Sequence, residues 1–403
     1  MHILIVPSER YVPMDNPLEG VFQKDQALAL KKAGFKVGVI SPDLRTLRSF
    51  SKGWSQWPRG YQYELERGIP LCRYHGWNWI PHLQQGKRWL WLQVGVALFK
   101  RYLSKHGKPE VIHAHNARWA GILASRIKRI WNIPYVLTEH SSVYGRKRIH
   151  RSEILHIRES FRNAGSRLVV SPHLGHLLQE TIGDSLCPWQ WVPNVLDELF
   201  EQGRGMPLRK KVDNRPFLFL NVGALIEVKG QDQLLIAFAE QFRERREVQL
   251  RIGGNGPLRR RLEALIEKLG ITNQVTFLGE IQRQEVLSEM QRCDVYVHSS
   301  RYETFGVTLI EALSCGKPVI STACGGPECI VQKTDGILVP PNDPSAFGRA
   351  MGEIMDHVGS YDPASIRRDC LLRFGQKTLV DRLSHIYQGC VAGIEPPPEE
   401  VKE

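Results

Sequence analysis

The chain has 403 residues, 42% hydrophobic and 24% charged, and this length exceeds one ordinary hydrophobic core, so we expect a soluble protein of two domains. Its formal net charge of +12 suggests an anionic partner, but no nucleic-acid-binding motif accompanies the basic residues, which disfavours nucleic acid. Eight cysteines without C-x-x-C pairs disfavour zinc and disulfides, and no apolar stretch approaches the roughly 20 residues of a membrane span.

The first half alternates short apolar strands with longer helical patterns, which predicts a parallel sheet covered by helices on both sides. It opens with a short strand rather than a signal peptide, so we expect a cytoplasmic protein. Helical spacing of apolar residues predicts a helix over 23–33, with Gly34 as its C-cap. The strands are expected at 2–6, 36–40, 110–114, 134–138 and 167–171.

Within this half, the segment from Arg67 to Thr138 contains twelve lysines or arginines and a single acid, Glu110. All ten tryptophans lie in the first 191 residues. Basic charge combined with aromatic residues is typical of proteins that dock on an anionic membrane face. The alternative is a solvated basic face above tryptophans of the core. The basic, Trp-rich region 42–91 matches no specific pattern, and we expect it to form loops.

The second half repeats the alternation after a polar stretch, 193–216, that we interpret as an interdomain linker region. We therefore predict domains at 1–195 and 196–375, then a segment, 376–391, whose helix covers about 378–388. The Pro- and Glu-rich tail, 392–403, is expected to be disordered. The strands are expected near 217–222, 248–252, 275–278, 294–298, 318–321 and 337–339.

The most informative run extends from Ser300 to Ile320 and places two glutamates, Glu303 and Glu311, on either side of Gly306, which opens a helix. A helix N-terminus can hold a phosphate through its free N–H groups and dipole. An acid directly before that terminus would repel the phosphate, so Glu303 is better placed to bind hydroxyls beside the phosphate. Glu311, two helical turns further on, is placed to bind hydroxyls on the other side of the phosphate. A diphosphate with a sugar at each end fits this arrangement, which indicates a nucleotide-sugar.

This run resembles the donor-site signature of the retaining glycosyltransferases of family 4, which have the GT-B fold. That fold consists of two Rossmann-like, doubly wound α/β domains facing each other across a cleft, with the helix near the C-terminus crossing back to the first domain. The resemblance extends from His2 to about residue 390. Further motifs that resemble the family lie at 219–230, 250–258, 294–300 and 325–328.

For the second domain, the resemblance implies that Glu303 binds the donor sugar, that Glu311 binds the ribose, and that Lys229 stabilises the leaving diphosphate. The alternatives are a solvated acid at a helix start for Glu303, a solvent-facing helix position for Glu311, and an exposed loop lysine for Lys229. Backbone N–H groups for the diphosphate would come from Phe305, Gly306, Val307 and Thr308.

One position departs from the family pattern. The family commonly carries an arginine after the glycine that matches Gly223, whereas this chain has Ala224. Arg301 is the candidate replacement cation. A turn that lets a base or ribose approach the backbone is expected from Gly253, Gly254 and Gly256, which do not form a G-x-G-x-x-G motif.

In the first domain, Gly20 resembles the family's early glycine loop near the donor phosphate and the acceptor. His140 and Ser141 follow a strand and resemble the segment that holds a histidine near the transferred sugar, so His140 joins Glu303 and Lys229 as a predicted catalytic residue. His113 and His115 should point to one face at a strand end, and we expect His115 to line the acceptor side of the cleft. A purely structural role is the alternative for each histidine.

The resemblance implies transfer of a hexose with retention, by front-face attack and without a metal or cofactor. UDP-sugars are the expected donors and GDP-mannose is second. The expected acceptor is a glycan or a lipid-linked hydroxyl in polysaccharide or glycolipid synthesis, at the inner membrane face. Two alternatives stay open: an epimerase or phosphorylase of the same fold, and a non-catalytic scaffold in a polysaccharide-assembly complex.

Overall fold

A computed structural model describes residues 1–13, 19–45, 58–79, 83–146, 149–183, 188–203 and 215–394. The chain divides into two compact units, one containing Met1–Val195 together with the residues from Leu379 onward, the other containing Leu196–Thr378. The predicted disorder of the tail beyond residue 394 lies outside the described residues, as does much of the predicted linker.

The first unit contains an eight-stranded sheet within the described residues. The order across the sheet is β3-β4-β2-β1-β5-β6-β7-β8, and every neighbouring pair is parallel except β3 and β4. The strands are β1 His2–Pro7, β2 Lys36–Arg45, β3 Gly60–Glu66, β4 Ile69–Trp77, β5 Val111–His115, β6 Tyr135–Glu139, β7 Ser166–Val169 and β8 Gln190–Trp191.

The prediction of loops throughout 42–91 is wrong. β2 continues to Arg45, and β3 and β4 form an antiparallel hairpin turned by the left-handed pair Arg67 and Gly68. Polar and apolar residues alternate along β3, but its apolar side chains, Tyr61, Tyr63 and Leu65, are exposed and none of its residues is fully buried. That weak period-2 pattern, without a long apolar run, explains why the edge strand escapes detection in the sequence.

Helices cover both faces of this sheet, and the predicted helix at 23–33 is confirmed with slightly shifted ends. Among the described residues, no helix is long and apolar enough to cross a membrane. The helices are α1 Val21–Lys32, α2 Gln84–His106, α3 Ile122–Trp131, α4 Arg151–Asn163, α5 Pro172–Ile182 and, at the other end of the chain, α13 Gln376–Ala392, while a π-helical turn, Asn116–Gly121, precedes α3.

The C-terminal helix completes the core of the first unit. Leu383 and Tyr387 of α13 are buried against Ile3 and Ile5 of β1. Burying these side chains contributes roughly 1.5–3 kcal/mol each, which explains why a segment distant in sequence belongs to this unit. The helix is longer than the 378–388 expected, and at its C-terminal end the buried Cys390 continues the apolar spacing.

The second unit contains a six-stranded sheet whose neighbours are all parallel, with the order β11-β10-β9-β12-β13-β14. The strands are β9 Phe217–Val222, β10 Val248–Gly253, β11 Val275–Gly279, β12 Val295–His298, β13 Val319–Thr322 and β14 Gly336–Val339. The helices are α6 Glu198–Gln202, α7 Gln231–Phe242, α8 Arg259–Leu269, α9 Arg283–Arg292, α10 Val307–Ser314, α11 Pro344–Asp356 and α12 Pro363–Phe374.

Each sheet reverses its strand order at one point, between β1 and β5 in the first unit and between β9 and β12 in the second. In open parallel sheets the loops separate at such a switch point and leave a crevice at the carboxyl ends of the strands. The predicted site residues of each unit follow these strands or the neighbouring strands β6 and β10 in the chain. The two crevices are therefore the places where the predicted sites can be tested.

Candidate active site

In the second unit, a lysine and a glutamate meet at the switch point. Lys229 ends a short 3-10 turn after β9, and Glu303 lies in the loop between β12 and α10. The Lys229 Nζ donates to the Glu303 Oε2 at 2.5 Å. The backbone of Glu303 is fixed by hydrogen bonds with the Cys324 carbonyl and the Gly326 N–H, which explains the small residues of the 325–328 motif.

A histidine that the sequence analysis did not assign completes this group. His298 is the last residue of β12, is buried, and has its Nε2 3.7 Å from the Glu303 Oε2. Burial and the nearby Lys229 lower the pKa of His298 to about 4, so its ring is neutral at pH 7. Burial alone would raise the pKa of Glu303, but Lys229 and His298 outweigh it and hold that pKa below its usual range. Glu303 is therefore an ionised acceptor for hydroxyl groups.

The next element, α10, begins directly beside this pair. Gly306 precedes its first residue with φ 109°, a left-handed conformation that disfavours any side chain. Phe305 is buried against Phe374, so the loop is anchored on its apolar side. The N–H groups of the first turn, including those of Val307 and Thr308, form the positive end of the helix dipole. An anion with hydroxylated neighbours fits this geometry.

Glu311 lies inside α10 and is 2% exposed. Its Oε1 is 3.0 Å from the Nη2 of Arg283, whose Nε is 2.7 Å from the Oδ2 of Asp197. Burial raises the pKa of Glu311 to about 7, against the opposing effect of Arg283. The solvent-facing alternative for Glu311 is thus contradicted, whereas its binding to a ribose stays a prediction.

The predicted glycine turn packs against the loop after β9. The Gly223 N–H donates to the Gly253 carbonyl at 2.9 Å, and the Leu225 N–H donates to the Asn255 carbonyl at 3.0 Å. A side chain at Gly254 would collide with the Gly223 carbonyl, and one at Gly256 with that of Leu225. These glycines therefore join two loops of the protein. Their approach to a base or ribose stays a prediction.

Arg301, the predicted substitute for the missing arginine, has protein partners. Its guanidinium forms two hydrogen bonds with the Asp232 carboxylate, at 2.9 and 2.8 Å, and one with the Glu227 carbonyl at 2.6 Å. The pair with Asp232 raises the pKa of Arg301, despite partial burial. This geometry fixes the turn that carries Lys229, so Arg301 supports that lysine in the present structure.

In the first unit, the candidate residues also collect at the switch point. Gly20 is the N-cap of α1 in the loop after β1, and His140 and Ser141 follow β6. Asn116, directly after β5, adopts φ 70° at the start of the π-helical turn. Its Nδ2 donates to the Glu9 Oε1 at 2.5 Å and its Oδ1 accepts from the His140 N–H at 2.8 Å. π-Turns and positive φ in non-glycine residues are frequent at functional sites.

Three histidines stack in a row beside this asparagine. The rings of His113 and His115 lie 4.3 Å apart, which confirms that they share one face, and the His115 Nδ1 is 2.9 Å from the His140 Nε2. His113 is held by Tyr387 at 2.6 Å and by Thr138 at 2.7 Å, which favours a structural role for this residue. Burial lowers the pKa of His113 and of His140 to about 3 and that of His115 well below its usual value.

Two carboxylates border the histidines. Glu139 is fully buried and accepts from the N–H groups of Ala117 and Ser141, both at 2.9 Å. Burial raises the pKa of Glu139, and raises that of Glu9 to about 7. Beside these carboxylates, the His115 and His140 rings form a neutral hydrogen-bonded pair at pH 7. In the described part of the chain, no three His, Cys, Asp or Glu side chains group as a metal ion requires.

Four residues of these sites were not singled out by their sequence pattern: His298, Arg283, Asn116 and Glu9. His298 stands at a strand end inside the motif at 294–300, and Asn116 directly follows the predicted cleft residue His115, so position alone could have identified them. Arg283 lies 28 residues before Glu311 in a separate element, and no spacing rule connects the two. Glu9 follows β1 among ordinary loop residues.

Two α/β units, each with a polar site at the switch point of its sheet, define a protein of the doubly wound class, which binds ligands at the carboxyl ends of the strands. Two family models match this chain: "Glycosyltransferase Family 4" over residues 20–198 and "Glycosyl transferases group 1" over residues 208–362. Together they span most of the sequence. The chain therefore belongs to the family-4, group-1 glycosyltransferases and is an enzyme of that class.

Individual proteins agree with this assignment. A glycosyltransferase of Methanocaldococcus jannaschii is 27% identical over 301 residues, which cover 70% of this chain and 75% of that protein. Sucrose-phosphate synthase of Thermosynechococcus elongatus superposes with a TM-score of 0.77 at 20% identity, covering 97% of this chain and 100% of the other. HepE of Anabaena in complex with UDP gives a TM-score of 0.71 at 17% identity, and the match covers 96% of this chain and 100% of HepE. These neighbours show the GT-B fold.

Proposed function

We propose that this glycosyltransferase moves a hexose from a nucleoside diphosphate sugar to a hydroxyl of a glycan or lipid-linked acceptor, with retention of configuration and without a metal ion. The observation that carries the proposal is the Lys229–Glu303 pair at the start of α10. It brings a cation and a helix N-terminus, which suit a diphosphate, next to an ionised carboxylate, which suits sugar hydroxyls.

In the proposed step, the bond between the anomeric carbon and the diphosphate oxygen breaks, and the electron pair leaves with the diphosphate. Lys229 and the N–H groups of α10 stabilise the charge that develops there. The acceptor oxygen forms its bond to the anomeric carbon on the same face, and its proton goes to a leaving phosphate oxygen. Glu303 orients the sugar hydroxyls through this change, which places the reacting atoms close together.

The first unit is proposed to hold hydroxyl groups of the sugar and acceptor. Because burial lowers the pKa of His140 to about 3, its ring is neutral at pH 7 and orients hydroxyls through hydrogen bonds rather than as a cation. His115 fixes that ring, since their nitrogens lie 2.9 Å apart. Ser141 and Gly20 border the same switch point.

UDP-sugars are the first choice of donor and GDP-mannose is the second. The structure of HepE, which shares the fold, is described as a complex with UDP, and this supports the first choice. The experiment is a measurement of thermal stability with UDP, GDP, ADP and their common sugar conjugates, repeated with a Lys229→Ala, Glu303→Ala double variant. Stabilisation by one nucleotide series, lost in the double variant, is expected. If the folded wild-type protein responds to none of them, the donor site is absent and a scaffold is the better description.

An anionic membrane surface is the proposed location of the acceptor. Trp79, Leu83 and Trp89 are 67%, 65% and 58% exposed at and before the start of α2. Exposed apolar side chains next to basic residues suit a lipid interface. Not every tryptophan contributes to this exposed apolar surface, because Trp91 is buried and packs against Trp119.

The basic half of this face lies further along α2. Lys100, Arg101 and Lys105 are exposed, and the last two lie over the rings of Tyr61 and Tyr63 at 4.0 and 3.2 Å. Replacing these three cations by alanine should weaken binding to phosphatidylglycerol vesicles at low salt. The matched control removes three exposed cations of the second unit: Arg246, Arg260 and Lys268. Equal vesicle binding by both variants would refute the membrane proposal.

A further inference from the structure

Arg283 connects three side chains of the second unit. It is the first residue of α9, and its guanidinium contacts Asp197 through Nε at 2.7 Å and Glu311 through Nη2 at 3.0 Å. The flat group also lies above the ring of Phe200, 5.4 Å from its centre. Contacts along one edge and on one face restrict the guanidinium, which therefore has little freedom to turn elsewhere.

The two carboxylates it joins are themselves fixed. Glu311 belongs to α10 and is 3% exposed at its side chain, while Asp197 is the N-cap of α6 and accepts from the Leu199 N–H at 2.7 Å. An unpaired carboxylate so deeply buried would be costly and would take up a proton. The partly buried Arg283 guanidinium, at 3.0 Å, opposes this tendency and also restricts the direction of the carboxylate oxygens.

We propose that Arg283 is a positioning residue for donor binding, holding the Glu311 carboxylate aimed at the hydroxyls of the donor ribose. The inference rests on the proposed function, because it takes Glu311 as the ribose-binding group. Arg283 itself touches neither the sugar nor the diphosphate in this proposal. It acts through Glu311, and Asp197 acts through Arg283.

A purely structural ion pair would have a different effect on binding. If Arg283 only stabilised the fold, its removal would weaken the binding of every nucleotide to the same extent. If it positions Glu311 for a ribose, the loss should depend on the hydroxyls that Glu311 accepts. A nucleotide that lacks the 2′-hydroxyl should then be nearly insensitive to the change.

The test compares UDP, ADP and GDP with their 2′-deoxy counterparts by calorimetry. Arg283→Gln should bind the preferred ribonucleotide about tenfold more weakly than wild type, while its 2′-deoxy form changes by less than about twofold. Arg292→Gln is the matched control, because Arg292 ends the same helix and is 63% exposed at its side chain. Arg283→Lys, which retains the charge, should fall between wild type and Arg283→Gln.

The pH dependence gives a second criterion. Four titratable or charged groups face Glu311: Arg283 from α9, Asp197 ahead of α6, Tyr296 of β12 and Cys315 at the end of α10. Burial raises the pKa of Tyr296 and Cys315, so both are neutral near pH 7 and only the first two carry charge. Arg283 lowers the pKa of Glu311, so its removal raises that pKa further and protonates Glu311 at pH 7. Raising the pH to 9 should restore most of the ribonucleotide affinity to Arg283→Gln.

Each outcome decides a separate question. Wild-type protein that binds no nucleotide would refute the proposed function itself, whatever the variants do. Equal losses for ribo- and deoxyribonucleotides in a folded Arg283→Gln protein, unchanged at pH 9, would overturn the positioning role while leaving the donor site intact. If Arg283→Gln fails to fold, Glu311→Gln serves instead, because it should show the same loss for the ribonucleotide alone, without recovery at high pH.

Discussion

The two switch-point sites differ in how they hold polar groups at the carboxyl edge of a parallel sheet. In the second unit the groups are charged and paired, as in Lys229 with Glu303 at 2.5 Å. In the first unit they are mostly neutral, with His115 and His140 linked ring to ring and Asn116 between Glu9 and His140. Burial keeps these histidines unprotonated, because few cation-stabilising groups surround them.

This difference matches two tasks of a sugar transfer. A departing diphosphate gains negative charge and benefits from fixed cations and a helix N-terminus. Hydroxyls of a sugar or acceptor carry no charge and need oriented donors and acceptors instead. A charged residue in the first unit would require compensation that the hydroxyls cannot provide.

The largest expected effect follows from removing the cation of the second unit. Lys229→Ala should lower kcat for donor turnover by about 10²- to 10³-fold, the loss typical of one group that stabilises a developing negative charge. This loss is measured by steady-state kinetics with the donor that the binding experiment identifies. Lys268→Ala, an exposed lysine on α8, is the control, and comparable activity of both variants would contradict the role of Lys229.

The next effect concerns stability against acid. The pKa values of His2, His113 and His140 are about 4, 3 and 3 in the folded protein, whereas the opposing acid Glu9 has a pKa of about 7. Histidines with a lowered pKa bind protons mainly after unfolding, so the free energy of unfolding falls as the pH drops from about 6.5 towards 4, by about 1.4 kcal/mol per pH unit for each. An acid with a raised pKa has the opposite sign. The pKa of Glu139 is raised as well and that of His115 is lowered, so these four histidines oppose two acids and acid should destabilise the first unit.

In the second unit the two effects nearly cancel. His298 has a pKa of about 4, so acidification lowers its contribution to the free energy of unfolding. Glu311 has a pKa of about 7, so acidification raises its contribution. Hydrogen exchange measured segment by segment between pH 7 and 5 should show the strands of the first unit opening more readily than those of the second. Earlier opening of the second unit would contradict the assignment of neutral and charged sites.

A smaller effect is expected at Asn116. Asn116→Ala removes the hydrogen bonds with Glu9 and His140 and places a side chain without a local partner at φ 70°, which should lower the free energy of unfolding by about 1–3 kcal/mol. Asn116→Gly loses the same bonds but tolerates the conformation, so it should be about 1 kcal/mol more stable than the alanine variant. Urea unfolding measures both. An alanine variant as stable as the glycine variant would show that the backbone there is unstrained.

Sequence periodicity predicted the parallel strands, because buried strands leave a continuous apolar signal, and the resemblance to the family singled out the Glu303 motif at a strand end. Periodicity failed for the β3–β4 hairpin, where the edge strand β3 has no fully buried residue and leaves no apolar run. It also failed for Arg283, because an ion pair between separate elements leaves no spacing in the chain. The pKa of the histidines depends on burial by distant residues such as Tyr387, which no local pattern reveals.

The measurement that tests the central claim most directly is calorimetric binding of UDP, GDP and ADP to two folded double variants. One removes Lys229 and Glu303 of the second unit, and the other replaces His115 and His140 of the first unit by glutamine. We predict that the first loses nucleotide binding and that the second retains it within about twofold of wild type, since neutral residues that orient hydroxyls add little to diphosphate affinity. Retained binding by the first variant, together with lost binding by the second, would contradict the assignment of the donor site to the second unit.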